Sequence, residues 1–407
     1  MPMKRLVLPI GLAVIVLALG GRLPNLVDTP GGLAHASGVT LALPAGYIVL
    51  SPLSRVLDAL TLLSTAQSVA VIITVVVVAF LWQIYRRRTW QSAALSLAVV
   101  LLIMAILEAA AAYLPRAMAS LTVDDRDIVR VDFHSHTGAS HDVRKSFGAE
   151  DNREWHRAGG FDVAYVTDHV KFSGAGAALA RNPRLAGDGV SLVTGMEGRY
   201  HRIMSTVVLG ITAIDSALLN SRGNVLPGKL RSPRMPVTII AIPNRNLDSL
   251  STDVRDSSVA LPNLAGIELV DAAPRGLSQL DREEGKIRAL ANHLGLTLVA
   301  GSNNHGYGRA VAAWNLMRIP GWRTMSPDSV AASIENQLRA NRESVRIVHR
   351  VRPTTTGFRL AATVPVLAGG IIGGLGFPER ISWIFWIAFV TFVVVAAKSR
   401  RISRTRA

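Results

Sequence analysis

Long apolar runs lie near both ends of the chain. Ala66 to Tyr85 and Ala93 to Leu114 near the N-terminus, and Ile381 to Ala397 near the C-terminus, are close to the roughly 20 residues that cross a bilayer. Leu6 to Leu19 is shorter and follows two basic residues, which is typical of a signal anchor. The pattern predicts membrane spans over about 6–20, 66–85, 93–114 and 381–397.

Two other apolar segments give weaker membrane signals. Tyr47 to Leu63 contains Arg55 and Asp58, which favours an interfacial helix over about 47–63 rather than a span. Leu360 to Leu375 is short and rich in glycine, so it either spans the membrane or enters and leaves on one side. We therefore expect an N-terminal membrane region over 1–115, a soluble-type domain over 116–350 and a C-terminal membrane region over 351–407.

The middle region has a different pattern, in which short runs rich in Val and Ile alternate with helix-like stretches. Runs of this length suit strands that are buried on both faces. Strands alternating with helices predict an α/β fold, either an open sheet or a barrel. The predicted strands are Ile128–Phe133, Phe161–Val166, Val190–Val193, Thr206–Ile211, Val237–Ile242, Gly266–Val270 and Leu296–Ala300.

Composition agrees with a chain that is partly in lipid. Of the 407 residues, 49% are hydrophobic and only 18% are charged, with a net charge of +16. Basic clusters follow the apolar runs at 86–88 and 398–406, which is typical of the cytoplasmic ends of spans, so we expect a lipid bilayer rather than nucleic acid as partner. The chain has no cysteine, which excludes disulfides, thiolate zinc sites and a cysteine nucleophile.

The most specific stretch of the middle region is VDFHSHT at 131–137, at the end of a predicted strand. Alternate strand residues point to the same side, so His134 and His136 present two imidazoles to one point. That arrangement suits a divalent metal ion. A His-x-His pair alone also fits two surface or packing histidines, so the neighbouring signals matter.

Metal-type side chains follow other predicted strands as well. His141 and Asp142 lie in a polar turn after the His-x-His pair. The strands that follow end in Thr-Asp-His with His169, in Gly-Met-Glu with Glu197 and, late in the chain, in Gly-Ser-Asn-Asn-His with His305. The carboxyl ends of strands are where active sites of α/β barrels form, so the pattern predicts one convergent metal site.

In this order, the segments His-x-His-Thr, Thr-Asp-His, Gly-x-Glu and Gly-Ser-x-x-His resemble the motifs of the PHP (polymerase and histidinol phosphatase) domain family. The resemblance covers about Asp132 to His305, roughly half of the chain, and extends weakly to about Arg346. It implies a distorted (β/α)7 barrel, here flanked by N-terminal and C-terminal transmembrane helices. It also implies hydrolysis of a small phosphorylated substrate with divalent cations, manganese, zinc or iron.

Carried over by position, the resemblance implies a set of metal ligands. Either His141 or Asp142 matches the ligand after the first motif, and the carboxylate of the third motif commonly bridges two metals. Asp168 more often has a supporting role. The implied ligands are His134, His136, His141, Asp142, His169, Glu197 and His305.

The sequence departs from the family pattern at three places. The strand at 205–210 lacks its usual histidine, for which His201 is a substitute candidate. Ile242 stands where a histidine commonly precedes proline, and Asn303 stands where an aspartate is usual. Each lost ligand weakens the hold on one cation, so we expect one or two metal ions rather than three.

The remaining candidates have two interpretations each. Arg245 and Arg199 follow strand ends and either clamp a phosphate or are solvated surface residues. Glu268 is expected at the barrel rim or in a salt bridge.

We predict a membrane-anchored phosphoesterase that uses metal-activated water, with His134, His136 and Arg245 as its catalytic residues. The alternative is a degenerate barrel that binds a ligand or acts as a sensor, which Ile242 and Asn303 favour.

Orientation follows from the count of spans. With three N-terminal spans and one C-terminal span in the cell membrane (inner or plasma), all basic clusters lie inside and the domain over 116–350 lies outside the cytoplasm. A second C-terminal span over 360–375 would place the basic tail outside.

Overall fold

The computed structural model describes residues 7–29, 35–87, 89–200, 204–211, 236–242, 247, 263–340 and 342–404. The helices are α1 (Val7–Leu19), α2 (Ala45–Val49), α3 (Ser51–Thr61), α4 (Thr65–Tyr85), α5 (Trp90–Tyr113), α6 (Ala149–Gly159), α7 (Ser173–Leu179), α8 (Pro274–Leu294), α9 (Pro327–Ala340), α10 (Thr363–Gly373) and α11 (Phe377–Arg404). The strands are β1 (Leu26–Thr29), β2 (Val39–Ala42), β3 (Ser120–Val123), β4 (Ile128–Ser135), β5 (Val163–Val166), β6 (Ser191–Tyr200), β7 (Met204–Leu209), β8 (Val237–Ile240), β9 (Leu264–Asp271), β10 (Thr297–Gly301), β11 (Ala313–Arg318) and β12 (Arg346–Arg350).

The middle region, together with β1 from the N-terminal region, folds around a 10-stranded sheet in the order β1-β12-β11-β4-β5-β6-β7-β8-β9-β10. Strands β4, β5 and β6 run parallel, as do β8, β9 and β10, whereas β7 is antiparallel to both of its neighbours. Each predicted short apolar run coincides with one of β4 to β10, so the mixed α/β class is confirmed. Regular strand–helix alternation is not observed between β6 and β7, because a parallel crossover needs a helix and an antiparallel pair does not.

The sheet is curled, and the segment that follows β10 meets the end of β4. The backbone N–H of Asn303 donates to the carbonyl of His134 at 2.8 Å, and His136 N–H donates to the carbonyl of Asn304 at 3.2 Å. The carboxyl ends of β4, β5, β6 and β10 therefore face a common point. Buried side chains such as Phe133 and Tyr165, with ring centroids 5.9 Å apart, fill the core below it.

Among the described residues, three helices are long and apolar enough to cross a membrane: Thr65–Tyr85, Trp90–Tyr113 and Phe377–Ala397, of 21, 24 and 21 residues. Helix α1 has 13 residues and α10 has 11. The caps explain where the first two long helices begin. Ser64 forms a capping box with Gln67 at the start of α4, and the Thr89 side chain accepts a hydrogen bond from Ser92 N–H at the start of α5.

The segment predicted as an interfacial helix forms α2 and α3, residues 45–61, called the connector below. Its two charged residues are buried in ion pairs. Arg55 binds Glu379 at the start of α11, with the nearest nitrogen and oxygen 2.6 Å apart. Asp58 accepts hydrogen bonds from Arg116 at 2.8 Å and from Arg350 at 2.7 Å. The connector therefore joins the long apolar helices to the α/β domain.

The short apolar helix α10 has both of its ends near the connector. Before it, the Thr355 carbonyl accepts a hydrogen bond from Gln67, in the first turn of α4, at 3.4 Å. After it, the Gly374 carbonyl accepts one from Arg55 at 3.0 Å. Among the described residues after β12, α11 is the one helix that is long and apolar enough to cross a membrane.

Candidate metal centre

His134 and His136 lie at the carboxyl end of β4, with both side chains fully buried. The alternation of the strand places them on the same side. Their Nε2 atoms are 3.0 Å apart, and their ring centroids are separated by 4.9 Å. The sequence prediction that the two imidazoles converge agrees with this geometry.

Glu197 of β6 supplies the carboxylate at the centre of the site. Its Oε2 is 3.1 Å from His134 Nε2, 3.3 Å from His136 Nε2 and 3.2 Å from His169 Nδ1. Its Oε1 accepts a hydrogen bond from Ser205 on the antiparallel strand β7. The serine thus stands beside the carboxylate on the strand that lacks the family's histidine. We call His134, His136 and Glu197 the inner group.

A second set of candidate ligands, Asp142, His169 and His305, lies next to the inner group and nearer to solvent; we call it the outer group. Asp142 Oδ2 is 3.1 Å from His169 Nε2 and 3.4 Å from His305 Nε2. The side chains of Asp142, His169 and His305 are 40%, 25% and 21% exposed. His169 contacts both groups, because its other ring nitrogen faces Glu197.

Of the two neighbours that the sequence left open, Asp142 is the one whose side-chain oxygen reaches the other ligands. His141 is exposed and contacts His169 only ring to ring, with centroids 5.2 Å apart. His305 is held by its Nδ1–H, which donates to the Asn303 carbonyl at 2.7 Å. That bond leaves His305 Nε2 facing the outer group.

Glu268 lies beneath the site and orients His134. Its Oε1 is 2.7 Å from His134 Nδ1, and its Oε2 accepts the backbone N–H of Ile242 at 2.9 Å. A carboxylate on one ring nitrogen fixes the tautomer and leaves the other nitrogen free to bind a metal. The expected salt bridge of Glu268 is therefore formed with a site histidine, and Ile242 contributes to the site through its backbone.

Asp271, at the end of β9, is a site neighbour that the sequence analysis missed. Its Oδ2 accepts a hydrogen bond from the Asn303 amide at 2.9 Å, and Asp271 can join His134 and Glu268 as a group of ligand atoms within 4.8 Å. Its position three residues after Glu268, at the end of a predicted strand, is the signal that could have identified it. Asn303 has a φ of +42°, in the left-handed region that asparagine tolerates better than most residues.

Asp168 supports the loop that follows the His-x-His pair, as its expected supporting role suggested. It accepts hydrogen bonds from Thr137 N–H at 2.6 Å and from the Ser140 hydroxyl at 2.9 Å. Ser140 in turn accepts the backbone N–H of His169 at 3.0 Å. Behind this loop, the Nε2 of the buried His156 is 2.7 Å from the carboxylate of Asp132.

Burial and neighbouring charges set the protonation of the centre. Burial alone would raise the pKa of Glu197, but His134 and His136 outweigh it and hold this pKa well below the ordinary value. Burial lowers the pKa values of His136, His169 and His305. The pKa of His134, in contrast, is raised well above its ordinary value, because Glu268 and Glu197 outweigh the effect of burial. Metal ligands are ionised carboxylates and neutral imidazoles, so His134 would have to release its proton to bind a metal.

The donor set fits a divalent cation. Zinc binds nitrogen and oxygen ligands at about 2.0–2.2 Å, so two ligand atoms on one ion lie about 3 Å apart, as the inner group's do at 3.0 to 3.3 Å. Asn303 Oδ1 is buried and accepts no hydrogen bond from any described residue, so this asparagine keeps an oxygen that can serve as a neutral ligand.

Some predicted site residues are not placed in the centre. Arg245, predicted to clamp phosphate, and His201, a substitute ligand, lie outside the described residues. Arg199 is described, on β6, and its side chain is exposed. The phosphate-binding role of Arg245 remains a prediction.

Comparisons with known proteins give only distant likenesses. No family model matches the chain, and no curated protein matches it. Among solved structures, PsfC from Pseudomonas syringae PB-5123 has 15% identity and a TM-score of 0.37, covering 60% of this chain and 97% of its own. A proposed metal-dependent phosphoesterase from Bifidobacterium adolescentis has 13% identity and a TM-score of 0.30, covering 51% of this chain and 96% of its own. The lesion-specific endonuclease PfuEndoQ from Pyrococcus furiosus has 15% identity and a TM-score of 0.36, covering 51% of this chain and 56% of its own. At TM-scores below 0.5, these likenesses assign neither a family nor an activity to this chain.

Proposed function

We propose that this protein is a membrane-anchored, metal-dependent phosphoesterase. The observation that carries the proposal is the contact of Glu197 Oε2 with three imidazole nitrogens, two at the end of β4 and one after β5, all within 3.3 Å. Imidazole and carboxylate ligands suit manganese, zinc or iron. The proposed fold is a distorted seven-stranded barrel made of β4 to β10, in keeping with the resemblance to the PHP family.

The proposed ligands lie at two depths below the protein surface. The inner group would hold one ion, and the outer group would hold a second beside it. A divalent ion in such a site acts as a Lewis acid, lowers the pKa of water and neutralises phosphoryl oxygens. Glu197 belongs to the inner group and also contacts His169 of the outer group, so it is the candidate for a shared ligand.

The chain's own side chains prepare this chemistry. Glu268 keeps His134 Nε2 pointed at the inner group, and Ser205 restrains Glu197. The inner group is closed to bulk water, whereas the outer group is open at Asp142 and His305. A phosphate ester would therefore enter from the side of the outer group, where its oxygens meet the more exposed ligands.

Anchoring and orientation are part of the proposal. The α4–α5 loop with Arg86 and Arg87 is at the end of that hairpin away from the connector, and α11 begins at the connector and runs towards the basic tail. Bases concentrate on the cytoplasmic side, so we place the domain over 116–350 outside the cytoplasm. This orientation predicts that a reporter enzyme which works only in the cytoplasm is active when it is fused to the C-terminus.

Metal content and turnover of the full chain in detergent test the activity. With manganese present, we expect hydrolysis of an aryl phosphate, reduced to background in His134→Ala and retained in His293→Ala, a change of an exposed histidine on α8. The degenerate-barrel alternative, favoured by Ile242 in the core and Asn303 beside Asp271, predicts a folded, inert protein. That result would overturn the proposed activity.

A further inference from the structure

The loop that carries His305 is attached to the end of a membrane helix. We call His305–Gly308 the rim loop. Gly308 N–H donates to the carbonyl of Ala112, in the last turn of α5, at 2.8 Å. Beside this bond, the rings of Tyr307 and Tyr113 meet edge to face, with centroids 5.6 Å apart.

The rim loop is held closely against its neighbours. Gly306 and Gly308 have φ values of +79° and +74°, which glycine adopts readily and other residues rarely do. A Cβ at Gly308 would lie 2.5 Å from Cγ2 of Thr61 in the connector. Trp155 of α6 donates its indole N–H to the Gly308 carbonyl at 3.1 Å. The distance between the metal centre and the end of α5 is therefore fixed by packing.

That distance is short on the scale of a bilayer. Consecutive Cα atoms are about 3.8 Å apart, so the Cα atoms of His305 and Tyr307 are at most about 8 Å apart. The polar headgroup layer is about 5–8 Å thick on each side of the hydrocarbon. Tyr113 ends a proposed span, and tyrosine rings concentrate at the membrane–water interface. The centre then lies at about the level of lipid headgroups.

The exposed side chains around the rim suit that surface. Tyr113 and Tyr307 are 58% and 42% exposed, although both are large and partly apolar. Arg144 is half-buried under the rim loop, with its backbone N–H bonded to the His305 carbonyl at 3.1 Å. Lys145, next to it, is exposed and donates its ammonium to the Ser140 carbonyl at 2.8 Å. Cationic and aromatic groups together favour a surface with anionic headgroups.

We propose that the substrate is a phosphoester in the headgroup of a membrane lipid. This inference rests on the proposed phosphoesterase function and adds the class of substrate. The oxygen of a water molecule forms a bond to phosphorus while the ester P–O bond breaks. The lipid alcohol takes up a proton and stays in the bilayer, and the phosphate product leaves into water.

Matched pairs of substrates test the proposal with the full chain in phosphatidylcholine vesicles. One pair is phosphatidic acid and glycerol 3-phosphate, and the other is phosphatidylglycerol and glycerophosphoglycerol. Each pair has the same phosphoester with and without acyl chains. Because a shared bilayer raises the effective concentration, we expect the lipid of at least one pair to react at least about tenfold faster at equal bulk concentration.

A change at the rim separates positioning by the membrane from unspecific effects. The double variant Tyr113→Ser/Tyr307→Ser should lower the ratio of lipid to soluble turnover. The control is Tyr85→Ser, which replaces an exposed tyrosine at the opposite end of the hairpin and should leave the ratio unchanged. Bound metal and the thermal unfolding midpoint establish that each variant is folded.

The outcomes distinguish the two proposals. Turnover that favours neither lipid, or an equal ratio in the rim variant and its control, overturns the lipid assignment and leaves the phosphoesterase standing. If no phosphoester of either kind is hydrolysed by the metal-loaded protein, both proposals fail.

Discussion

The connector and the candidate metal centre both bury ionisable side chains, but they balance the charge differently. At the connector, each buried carboxylate faces a guanidinium supplied by a distant part of the chain. Glu379 pairs with Arg55 at 2.6 Å, and Asp58 pairs with Arg116 and Arg350 at 2.8 and 2.7 Å. The counter-charge is part of the fold.

At the metal centre the carboxylates face imidazoles instead. Glu197 and Glu268 both contact His134, and no lysine or arginine in the described part of the chain pairs with either of them. Burying charge without full compensation is costly, so a cation from solution would stabilise such a cluster. We therefore propose that one cluster holds the fold together and that the other is completed by a ligand.

The largest expected effect is on turnover, from the carboxylate at the middle of the centre. Glu197→Gln removes the charge that faces three imidazoles, so bound metal should be lost and aryl phosphate hydrolysis should fall to background. Metal analysis and rate measurement check this. The control is Glu150→Gln, at a side chain that is 45% exposed. Full activity in Glu197→Gln would show that the centre is not the reactive site.

The connector should respond in stability rather than in chemistry. Arg55→Ala leaves Glu379 buried without its partner, and breaking a buried pair in this way costs about 3–5 kcal/mol. Thermal unfolding in detergent should show a lower midpoint. Arg157→Ala, which breaks an exposed pair with Glu154, should cause almost no change. Equal midpoints in the two variants would contradict the structural role of the connector.

Removal of the metal should destabilise the metal centre without any mutation. A ligand present at 100 times its Kd stabilises a folded protein by about 2.7 kcal/mol. A chelator should therefore lower the unfolding midpoint of the wild type by a corresponding amount. The midpoint of Glu197→Gln, which has little metal to lose, should not move. A shift of equal size in both would place the stabilising ion somewhere other than the inner group.

A smaller loss of metal affinity is expected when Glu268, which lies beneath the inner group, is changed. Glu268→Gln keeps the shape of the side chain but weakens its hold on His134 Nδ1, and such changes typically cost 10–100-fold in metal affinity or activity. Metal titration checks this against Glu284→Gln, which alters a largely exposed glutamate on α8. A loss of activity with unchanged metal affinity would show that Glu268 acts on the reaction rather than on the ligand.

Much of this centre could be predicted from the sequence because its ligands follow strands. A strand is visible as a short apolar run, and its end places a side chain at a known edge of the sheet. His134, His136, Glu197 and His305 were found in this way. The connector was harder to predict, since Arg55 and Asp58 in an apolar helix suggest an interface unless their partners, far away in sequence, are known.

The supporting residues were missed or underestimated for a related reason. Glu268 and Asp271 lie on one strand without a motif of their own, and their contacts with His134 and Asn303 depend on how the sheet curls. The antiparallel direction of β7 also had no sequence signal, because an apolar run looks the same in either direction. Pairing and register are tertiary properties that local patterns do not determine.

The choice between His141 and Asp142 is the finest distinction that the structure adds, and the outer group tests it. Asp142 Oδ2 lies within 3.4 Å of two ligand imidazoles, whereas His141 is exposed and touches only the His169 ring. Asp142→Asn should therefore lower metal affinity by about tenfold or more, and His141→Ala by clearly less. Titration of both variants with manganese gives the order directly. The reverse order would mean that the polar turn rearranges when metal binds and exchanges one ligand for its neighbour.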